Sequence, residues 1–345
     1  MREAFKIGDF SVAAGQRCLV DLPVAKLSNH TPVTLPVHVL HGRRPGPTLF
    51  VSAAIHGDEV LGIEVIRRLL RVKALKSIKG TLLCIPIVNT FGYLSHSRYL
   101  PDRRDLNRCF PGSEIGSLAS QIANMFMREI VDRSQVGIDL HTGAINRPNL
   151  PQVRLDANEP KLLALARSFG APVILDAPLR PGSLRHCAKE NGTDVIVFEA
   201  GEALRLDEFG IRVGTRGILH VMRELGMISP GSLRANKTSP ALTRESRWDR
   251  APDGGLFRAF KTTGDSVTEG ELLGVIANPY EDVEEKVSAS ISGLIIGRLN
   301  LPVVNQGDAL FHIARVGQVG EAEERIGVIA QELGDDPLFD EDEII

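Results

Sequence analysis

The stretch AAIHGDEVLGIEV at residues 53–65 joins the end of an apolar run to the start of a helical pattern. The run LFVSAAI, which leads into it, does not alternate between polar and apolar residues, and this is typical of a central strand buried on both faces. After it, apolar residues recur at spacings of three and four, as on one face of an amphipathic helix. Gly57 permits a tight exit from the strand. We therefore expect a strand–loop–helix unit that places His56 and Glu59 at the carboxyl end of a sheet.

The same alternation of strands and helices continues over about residues 46–230 and is typical of an α/β layer fold. The predicted strands are Thr48–Ala54, Thr81–Val88, Val136–Leu140, Val173–Leu175 and Asp194–Phe198. The predicted helical segments are Val60–Val72, Leu118–Val131, Lys161–Phe169 and Glu208–Leu225. We expect a catalytic domain over residues 46–232, preceded by an N-terminal β segment over residues 1–45.

A second, smaller domain is predicted over residues 250–316, where short β runs are punctuated by glycine. GDSVTEGELLGVIA from Gly264 is weakly echoed by GDALFHIA from Gly307. Repeated Gly-Asp turns between apolar strands predict a small β-barrel or sandwich. Residues 317–345 are interpreted as a helical and acidic tail, whose last part, GDDPLFDEDEII, is expected to be solvated.

Composition and charge exclude several classes of partner. The 345 residues carry a formal net charge of −3 and only 5% aromatic side chains, so neither nucleic acid nor an anionic membrane surface is expected. The N-terminus lacks the pattern of a signal peptide, and no apolar run approaches the roughly 18 residues of a membrane span. The four scattered cysteines are expected to be reduced thiols, which together predicts a cytoplasmic protein. The sequence leaves homo-oligomer formation open.

A metal site is the first chemical hypothesis. The three-residue spacing of His56 and Glu59 allows an imidazole and a carboxylate to converge on one cation, although a helix-capping acid beside a surface histidine has the same pattern. His141, in GIDLHTG, follows another short apolar strand. A catalytic zinc needs three protein ligands and an open position, and these residues supply that number; ligand type alone admits other divalent metals. Asp139 is a candidate hydrogen-bonding partner of His141.

Two further stretches carry residues suited to substrate binding and proton transfer. SRYLPDRRDLNRCFPG, at residues 97–112, holds four arginines, whose planar donors match carboxylates, and Asn107 adds another donor. In DVIVFEAGE, Glu199 directly follows an apolar strand and would enter the same crevice as the metal. A general base there would take a proton from the attacking water. Glu202 is the competing candidate for that role.

The ordered motifs HGDE, RDLNRCFPG, DLHTG and FEAGE resemble the succinylglutamate desuccinylase/aspartoacylase family, within the zinc carboxypeptidase-like hydrolases. The resemblance spans about residues 46–230. It implies a mixed sheet flanked by helices, with one zinc ion per chain held by His56, Glu59 and His141. It also implies that Glu199 is the general acid/base and that Asn107 and Arg108 bind a substrate carboxylate.

Other positions match the family less closely. Arg98 resembles the arginine that polarises the scissile carbonyl, but two arginines precede Asp105, which leaves Arg104 as an alternative. Arg180 and Arg185 are the nearest candidates to line the pocket for the rest of the substrate. The C-terminal region resembles a biotinyl/lipoyl-type barrel, yet its stretch ANPYEDVEEKV, at residues 277–287, lacks the carrier lysine expected in such a hairpin.

The function that we expect is a zinc-dependent deacylase that hydrolyses the amide bond of a small N-acyl amino acid or a related carboxylate-bearing substrate. Two alternatives stay open at this point. A carboxypeptidase-like peptidase would use the same zinc and arginines on short peptides, and a non-catalytic zinc-binding module would keep the fold without turnover. A Walker-type phosphate loop, a Gly-x-Gly-x-x-Gly fingerprint and a Gly-x-Ser-x-Gly nucleophile elbow are absent from the sequence.

Overall fold

The computed structural model of the chain describes residues 2–234, 236, 238–317 and 319–336. Its strands are β1 (Phe5–Ile7), β2 (Phe10–Val12), β3 (Arg17–Lys26), β4 (Pro32–His41), β5 (Arg44–Ala53), β6 (Lys79–Ile85), β7 (Val136–Gly143), β8 (Asn149–Leu155), β9 (Val173–Asp176), β10 (Asp194–Glu202), β11 (Ala241–Thr243), β12 (Ser246–Arg250), β13 (Gly255–Ala259), β14 (Ser266–Val267), β15 (Leu272–Ala277), β16 (Glu284–Ser288), β17 (Gly293–Arg298), β18 (Val303–Val304) and β19 (Ala309–Ala314). Its α-helices are α1 (Leu61–Leu69), α2 (Thr90–Leu94), α3 (Leu118–Glu129), α4 (Pro160–Phe169), α5 (Leu184–Glu190), α6 (Glu208–Glu224) and α7 (Val319–Gly334). Short 3₁₀ turns lie at Lys73–Ser77, Leu106–Arg108, Val131–Arg133 and Pro230–Ser232.

The centre of the molecule is a large mixed sheet. Its middle strands lie in the spatial order β10, β7, β5, β6 and run parallel to one another. The antiparallel strands β4 and β3 extend the sheet beyond β6, and β8 pairs antiparallel with β10 on the other side. Because β5, β7 and β10 are parallel, their carboxyl ends meet at one edge of the sheet, where ligands bind in open α/β sheets.

Helices cover both faces of this sheet, as the fold class predicts. On one face, α1, α4 and α6 contribute to an apolar core that includes Val65, Leu140 and Ile196. On the other face, α3 packs with a second core in which Phe50 and Phe126 meet edge to face, with ring centroids 5.9 Å apart. Each such buried side chain contributes roughly 1.5–3 kcal/mol to stability. In the described ranges, no helix is both long enough and apolar enough to cross a bilayer.

The predicted mixed α/β fold is confirmed, with differences at the ends of its elements. Strands β7 and β10 run to Gly143 and Glu202, further than the sequence pattern indicated. His141 and Glu199 therefore lie inside strands, and the backbone hydrogen bonds of the sheet hold them in place. The sequence analysis missed β8 and α5, which are short and contain Pro151 or polar residues that obscure their periodicity.

The C-terminal region does not form the closed barrel that its sequence suggested, at least among the residues that the structure describes. Strands β12, β19 and β17 continue the large sheet, because β17 pairs with β8 at Gly297. Strands β16, β15, β13 and β18 form a separate four-stranded sheet. Apolar side chains such as Phe257 and Phe311 fill the space between the two sheets. The domain boundaries stay a prediction, and the expected solvated tail lies mostly outside the described residues.

Candidate metal centre and active site

His56, Glu59 and His141 meet at the carboxyl edge of the sheet. His56 and Glu59 lie in the turn between β5 and α1, and His141 lies in β7, the parallel neighbour of β5. All three are buried. The turn requires glycine at position 57, because an added Cβ would lie 1.9 Å from the carbonyl carbon of Gly92. The local chain path and the strand order thus bring together residues that are more than eighty positions apart.

Glu59 lies between the two imidazoles. His56 Nδ1 is 2.7 Å from Glu59 Oε1, and His141 Nδ1 is 2.7 Å from Glu59 Oε2. The ligand-capable atoms of the three residues all lie within 4.8 Å of one another. Two imidazole nitrogens and one carboxylate oxygen form a donor set that suits zinc and leaves room for a fourth ligand. The residues present therefore fit the metal that the family resemblance implies.

An aspartate supports each histidine from the side away from Glu59. His141 Nε2 is 2.8 Å from Asp139 Oδ2, and Ser52 donates to the other oxygen of Asp139 at 2.7 Å. His56 Nε2 is 3.1 Å from Asp105 Oδ1. Such carboxylates orient a metal-binding imidazole and raise its basicity. Asp139 was a candidate from the sequence; Asp105 was missed, although it lies inside the motif RDLNRCFPG.

The electrostatics of this group favour a positive charge at its centre. Burial alone would raise the pKa of Glu59, but the adjacent His56 and His141 outweigh it and lower that pKa well below its ordinary value. Burial would also lower the pKa of His141, yet the carboxylates of Asp139 and Glu59 raise it well above the usual range. Protons on the imidazoles balance the carboxylates here, and a divalent cation would displace them.

A cavity of about 280 Å³ opens onto this centre. Of the candidate site residues from the sequence, it brings together His56, Glu59, Arg98, Asn107, Arg108, His141, Arg180, Arg185 and Glu199. Arg104 is not among the residues that line it and has a side chain 59% exposed, with its nearest carboxylate partner, Asp102, at 3.9 Å. Of the two arginines considered for polarising the carbonyl, the structure places Arg98 beside the metal centre.

Arg98 reaches into the centre from the loop after α2. Its Nη1 is 3.3 Å from both Glu59 Oε1 and His56 Nδ1, and its Nη2 donates to Asp105 Oδ2 at 3.0 Å. Asn107 is fixed through its side-chain oxygen, which accepts a hydrogen bond from the backbone N–H of Leu184 at 2.8 Å. Its amide N–H groups are therefore the part of the side chain that is left to meet a ligand.

Glu199 lies across the cavity in β10, in backbone register with His141. Arg154 Nη2 lies 2.8 Å from Glu199 Oε2, and Asn149 donates to the same oxygen at 2.8 Å. Both residues belong to β8 and were missed by sequence reasoning, because β8 itself was not predicted. A basic residue directly before the last position of an apolar run is too common to indicate a site by itself.

Arg185 is the most buried cation of the cavity. Its Nη2 donates to the backbone oxygens of Ala177 and Pro178, while its Nη1 is buried without a partner in the described residues. Burial lowers the pKa of this guanidinium, and the nearby charge of Arg154 lowers it further. A buried guanidinium with an unused donor is costly unless an anion meets it. Arg185 is also one of the residues that line the cavity, so its guanidinium adds positive charge there.

Comparisons with known proteins reveal similar sequences. The sequence profile of the succinylglutamate desuccinylase/aspartoacylase catalytic domain matches residues 45–225. The N-alpha-acetyl-L-2,4-diaminobutyric acid deacetylase of Halomonas elongata is 29% identical, over 89% of this chain and 94% of its own length.

Solved structures are similar as well. The crystal structure of a succinylglutamate desuccinylase/aspartoacylase from Rhodobacter sphaeroides superposes with a TM-score of 0.77 at 26% identity, covering 87% of this chain and 95% of that one. A product-bound structure of the ectoine utilization protein EutE (DoeB) from Ruegeria pomeroyi has a TM-score of 0.76, covering 87% of this chain and 94% of that one. At 22% identity, the second likeness concerns the fold alone.

Proposed function

This chain belongs to the succinylglutamate desuccinylase/aspartoacylase family, and from that membership we propose that it is a zinc-dependent deacylase of small N-acyl amino acids. The observation that carries the proposal is the convergence of His56, Glu59 and His141 with Glu199 and several arginines in one cavity of about 280 Å³. A cavity of this size suits a small molecule with one or two carboxylates. The deacetylase activity named for the Halomonas elongata relative supports the same reaction class.

In the proposed site, His56, Glu59 and His141 hold one zinc ion. Zinc in such a site supplies Lewis acidity, which lowers the pKa of a water and polarises the scissile carbonyl. Asn107 and Arg108 bind a substrate carboxylate and so hold the amide in line for attack. Arg185, which lines the same cavity, binds a further anionic group of the substrate.

Proton transfer is assigned to Glu199. Its carboxylate accepts a proton from the attacking water as the new carbon–oxygen bond forms. It then donates that proton to the amine nitrogen as the carbon–nitrogen bond breaks, and so returns to its starting state. Arg98, whose Nη1 lies 3.3 Å from Glu59 Oε1, donates a hydrogen bond to the negative charge that develops on the carbonyl oxygen.

The test is a mass-spectrometric hydrolysis screen of zinc-loaded protein, with and without a chelator. Its panel combines N-acetyl and N-succinyl amino acids with short peptides. We expect chelator-sensitive cleavage of the acylated amino acids. Release of C-terminal residues from peptides alone would replace the proposal with a carboxypeptidase-like activity, and zinc binding without any cleavage would favour a binding role.

The variant Glu199→Gln tests the assignment of the base. Gln keeps the shape of the side chain but cannot accept the proton, so we expect turnover to fall by about 10²–10⁴-fold. Zinc content, measured by inductively coupled plasma mass spectrometry, should stay at one ion per chain. Full activity in this variant would remove Glu199 from the mechanism and leave the metal site untouched.

A further inference from the structure

The carboxylate of Glu199 is held through one of its two oxygens. Oε2 receives Arg154 Nη2 and Asn149 Nδ2, each at 2.8 Å. Among the described residues, no donor within hydrogen-bond distance contacts Oε1. The two oxygens of this side chain, which lines the cavity, are therefore chemically different: Oε2 is bound to a cation and an amide, and Oε1 has no such contact.

Both partners of Oε2 come from β8 and approach Glu199 from opposite ends: Asn149 donates a hydrogen bond, and Arg154 forms an ion pair. Strand β8 runs antiparallel to β10, with Arg154 opposite Val197 and Asn149 opposite Gly201. Glu199 lies between these two positions of β10. Because cross-strand neighbours are held at fixed separations, the register of β8 determines where the donors lie.

The C-terminal region holds β8 from its other side. Gly297 of β17 pairs with Asn149, and the backbone N–H of Asn300 donates to Asn146 just before β8 at 2.8 Å. An added Cβ at Gly297 would lie 2.8 Å from the side-chain oxygen of Asn149. The absence of a side chain at position 297 therefore leaves the space in which the amide of Asn149 turns toward Glu199.

We propose that Arg154 and Asn149 are positioning residues that fix Oε2 of Glu199 and reserve Oε1 for proton transfer, and that Gly297 of the C-terminal region completes this clamp. The inference rests on the proposed function, because it takes Glu199 as the base. In the catalytic step, Oε1 takes the proton from water and later delivers it to the leaving amine. Oε2 stays in contact with Arg154 and Asn149 during this step, so the proton has one route.

The first experiment is a double-mutant cycle between positions 154 and 199. We expect Arg154→Met to lower kcat by about 10²-fold with little change in KM, since a displaced catalytic group costs about this much. In the Glu199→Gln background, the same substitution should have almost no further effect. Arg154→Lys, which keeps a cation on β8, serves as the milder variant and should lose less activity than Arg154→Met.

The second experiment substitutes Gly297, a residue of the C-terminal region. Gly297→Ala should lower kcat with little change in KM, although position 297 belongs to a different part of the chain from the proposed base. Gly327→Ala is the matched control, because an added Cβ there meets nothing within 4 Å. It should leave kcat unchanged.

Three outcomes would overturn the clamp. The first is that the losses in kcat of the two single variants multiply in the double variant. The second is that Arg154→Met raises KM with a normal kcat. Either result would mean that Arg154 contacts the substrate instead of positioning Glu199. A crystal structure of chelated Arg154→Met in which the Glu199 carboxylate keeps its orientation would do the same, and this readout needs no substrate. By contrast, full activity of Glu199→Gln alone contradicts the proposed function, so the two failures are distinguishable.

Discussion

At the scale of single residues, each candidate histidine ligand points one nitrogen at Glu59 and the other at an aspartate. Asp139 is almost fully buried and holds His141 Nε2 at 2.8 Å. That contact leaves Nδ1 as the nitrogen that faces the metal centre. The orientation of the proposed metal ligands thus depends on residues that are not themselves proposed to bind the metal.

The first prediction concerns this support. We expect Asp139→Asn to weaken zinc binding by about 10–100-fold, because the amide is a poorer acceptor for the imidazole N–H and orients His141 less firmly. Competition with a chromogenic chelator measures the affinity. Asp282→Asn, at an exposed position, is the matched control and should bind zinc as the unaltered protein does. Equal affinities in all three proteins would contradict the supporting role.

The second prediction separates the two arginines that the sequence left open. Arg98 lies against Glu59 and Asp105, whereas Arg104 is largely exposed. We expect Arg98→Met to lower kcat by about 10²–10³-fold, the usual cost of losing a donor to the oxyanion, while Arg104→Met stays near normal. Zinc content is measured in parallel, since Arg98 also touches the ligands. The reverse ranking would assign carbonyl polarisation to Arg104.

The sequence was most informative where the chemistry lies in short contiguous motifs. His56, Glu59, His141 and Glu199 each follow an apolar strand closely, so their convergence was expected from the strand ends and from the family resemblance of their motifs. Arg154 could not be predicted in this way. Its proposed role depends on Glu199, which the register of β8 and β10 places beside it. The register between strands that are distant in sequence cannot be read from a single sequence.

At the scale of secondary-structure elements, the turn from β5 into α1 depends on a close backbone contact. An added Cβ at Gly57 would lie 1.9 Å from the carbonyl carbon of Gly92 and 2.1 Å from the backbone nitrogen of Tyr93. Both obstacles are backbone atoms, so no side-chain rotation can relieve the overlap.

The third prediction follows from this contact. We expect Gly57→Ala to lower the free energy of unfolding by about 1–3 kcal/mol or more and to weaken zinc binding, because the turn also carries His56 and Glu59. Urea denaturation of the chelated protein measures the first effect. Gly231→Ala, where nothing lies within 4 Å, is the control and should change stability little. Normal stability of Gly57→Ala would mean that α2 moves away at little cost.

The C-terminal strands show why element type was easier to predict than element pairing. Glycine-punctuated apolar runs indicated β structure correctly, yet an isolated barrel and an extension of the main sheet share that pattern. The choice depends on β17, whose edge bonds to β8 at Gly297 and so joins the catalytic sheet. The helix α7 packs beside α6 through the ion pair of Arg216 and Glu332 at 3.4 Å, a contact that its acidic sequence did not indicate.

At the scale of the whole molecule, two buried histidines away from the metal centre link stability to pH. Burial lowers the pKa of His312 to about 3 and that of His220 to about 4. His312 is stacked on Trp248 with ring centroids 4.6 Å apart, and both ring nitrogens of His220 lack partners in the described residues. Both side chains are therefore neutral in the folded protein near pH 5, whereas in the unfolded chain they take up protons below about pH 6.5.

The fourth prediction is the resulting pH dependence. Below about pH 6.5 the unfolded state binds more protons than the folded state. The free energy of unfolding should therefore decrease as the pH is lowered from 6.5 toward the pKa values of the two histidines in the folded protein. Each histidine adds a slope of about 1.4 kcal/mol per pH unit once the unfolded form is protonated. Chelated protein is unfolded in urea between pH 6.5 and 4.5. His312→Gln should flatten the slope by one such increment, and an unchanged slope would contradict the burial of a neutral His312.

The balance of charge in the cavity leads to the last prediction, which concerns substrate choice. Arg98, Arg108, Arg154, Arg180 and Arg185 line the cavity. Two carboxylates also line the cavity. Glu59 lies between the two histidines, and Glu199 is paired with Arg154. Both carboxylates among the described lining residues are thus already paired with basic side chains, whereas Nη1 of Arg185 has no hydrogen-bond partner in this part of the chain. Placing an ammonium beside unpaired guanidinium groups costs binding energy, and a second carboxylate there gains it.

We therefore expect the enzyme to prefer substrates with two carboxylates over those with an ammonium group. The measurement is kcat/KM for three N-acetyl amino acids of similar size, in which the side chain ends in a carboxylate, a methyl group or an ammonium: N-acetylglutamate, N-acetylnorvaline and N-acetyl-2,4-diaminobutyrate. The first should exceed the last by at least about tenfold, equivalent to about 1.4 kcal/mol. Arg185→Gln should reduce this ratio while leaving the rate on the methyl compound nearly unchanged. A preference for the ammonium compound would show that Arg185 does not bind a second carboxylate of the substrate. The substrate preference of this chain would then be close to the activity named for its Halomonas elongata relative.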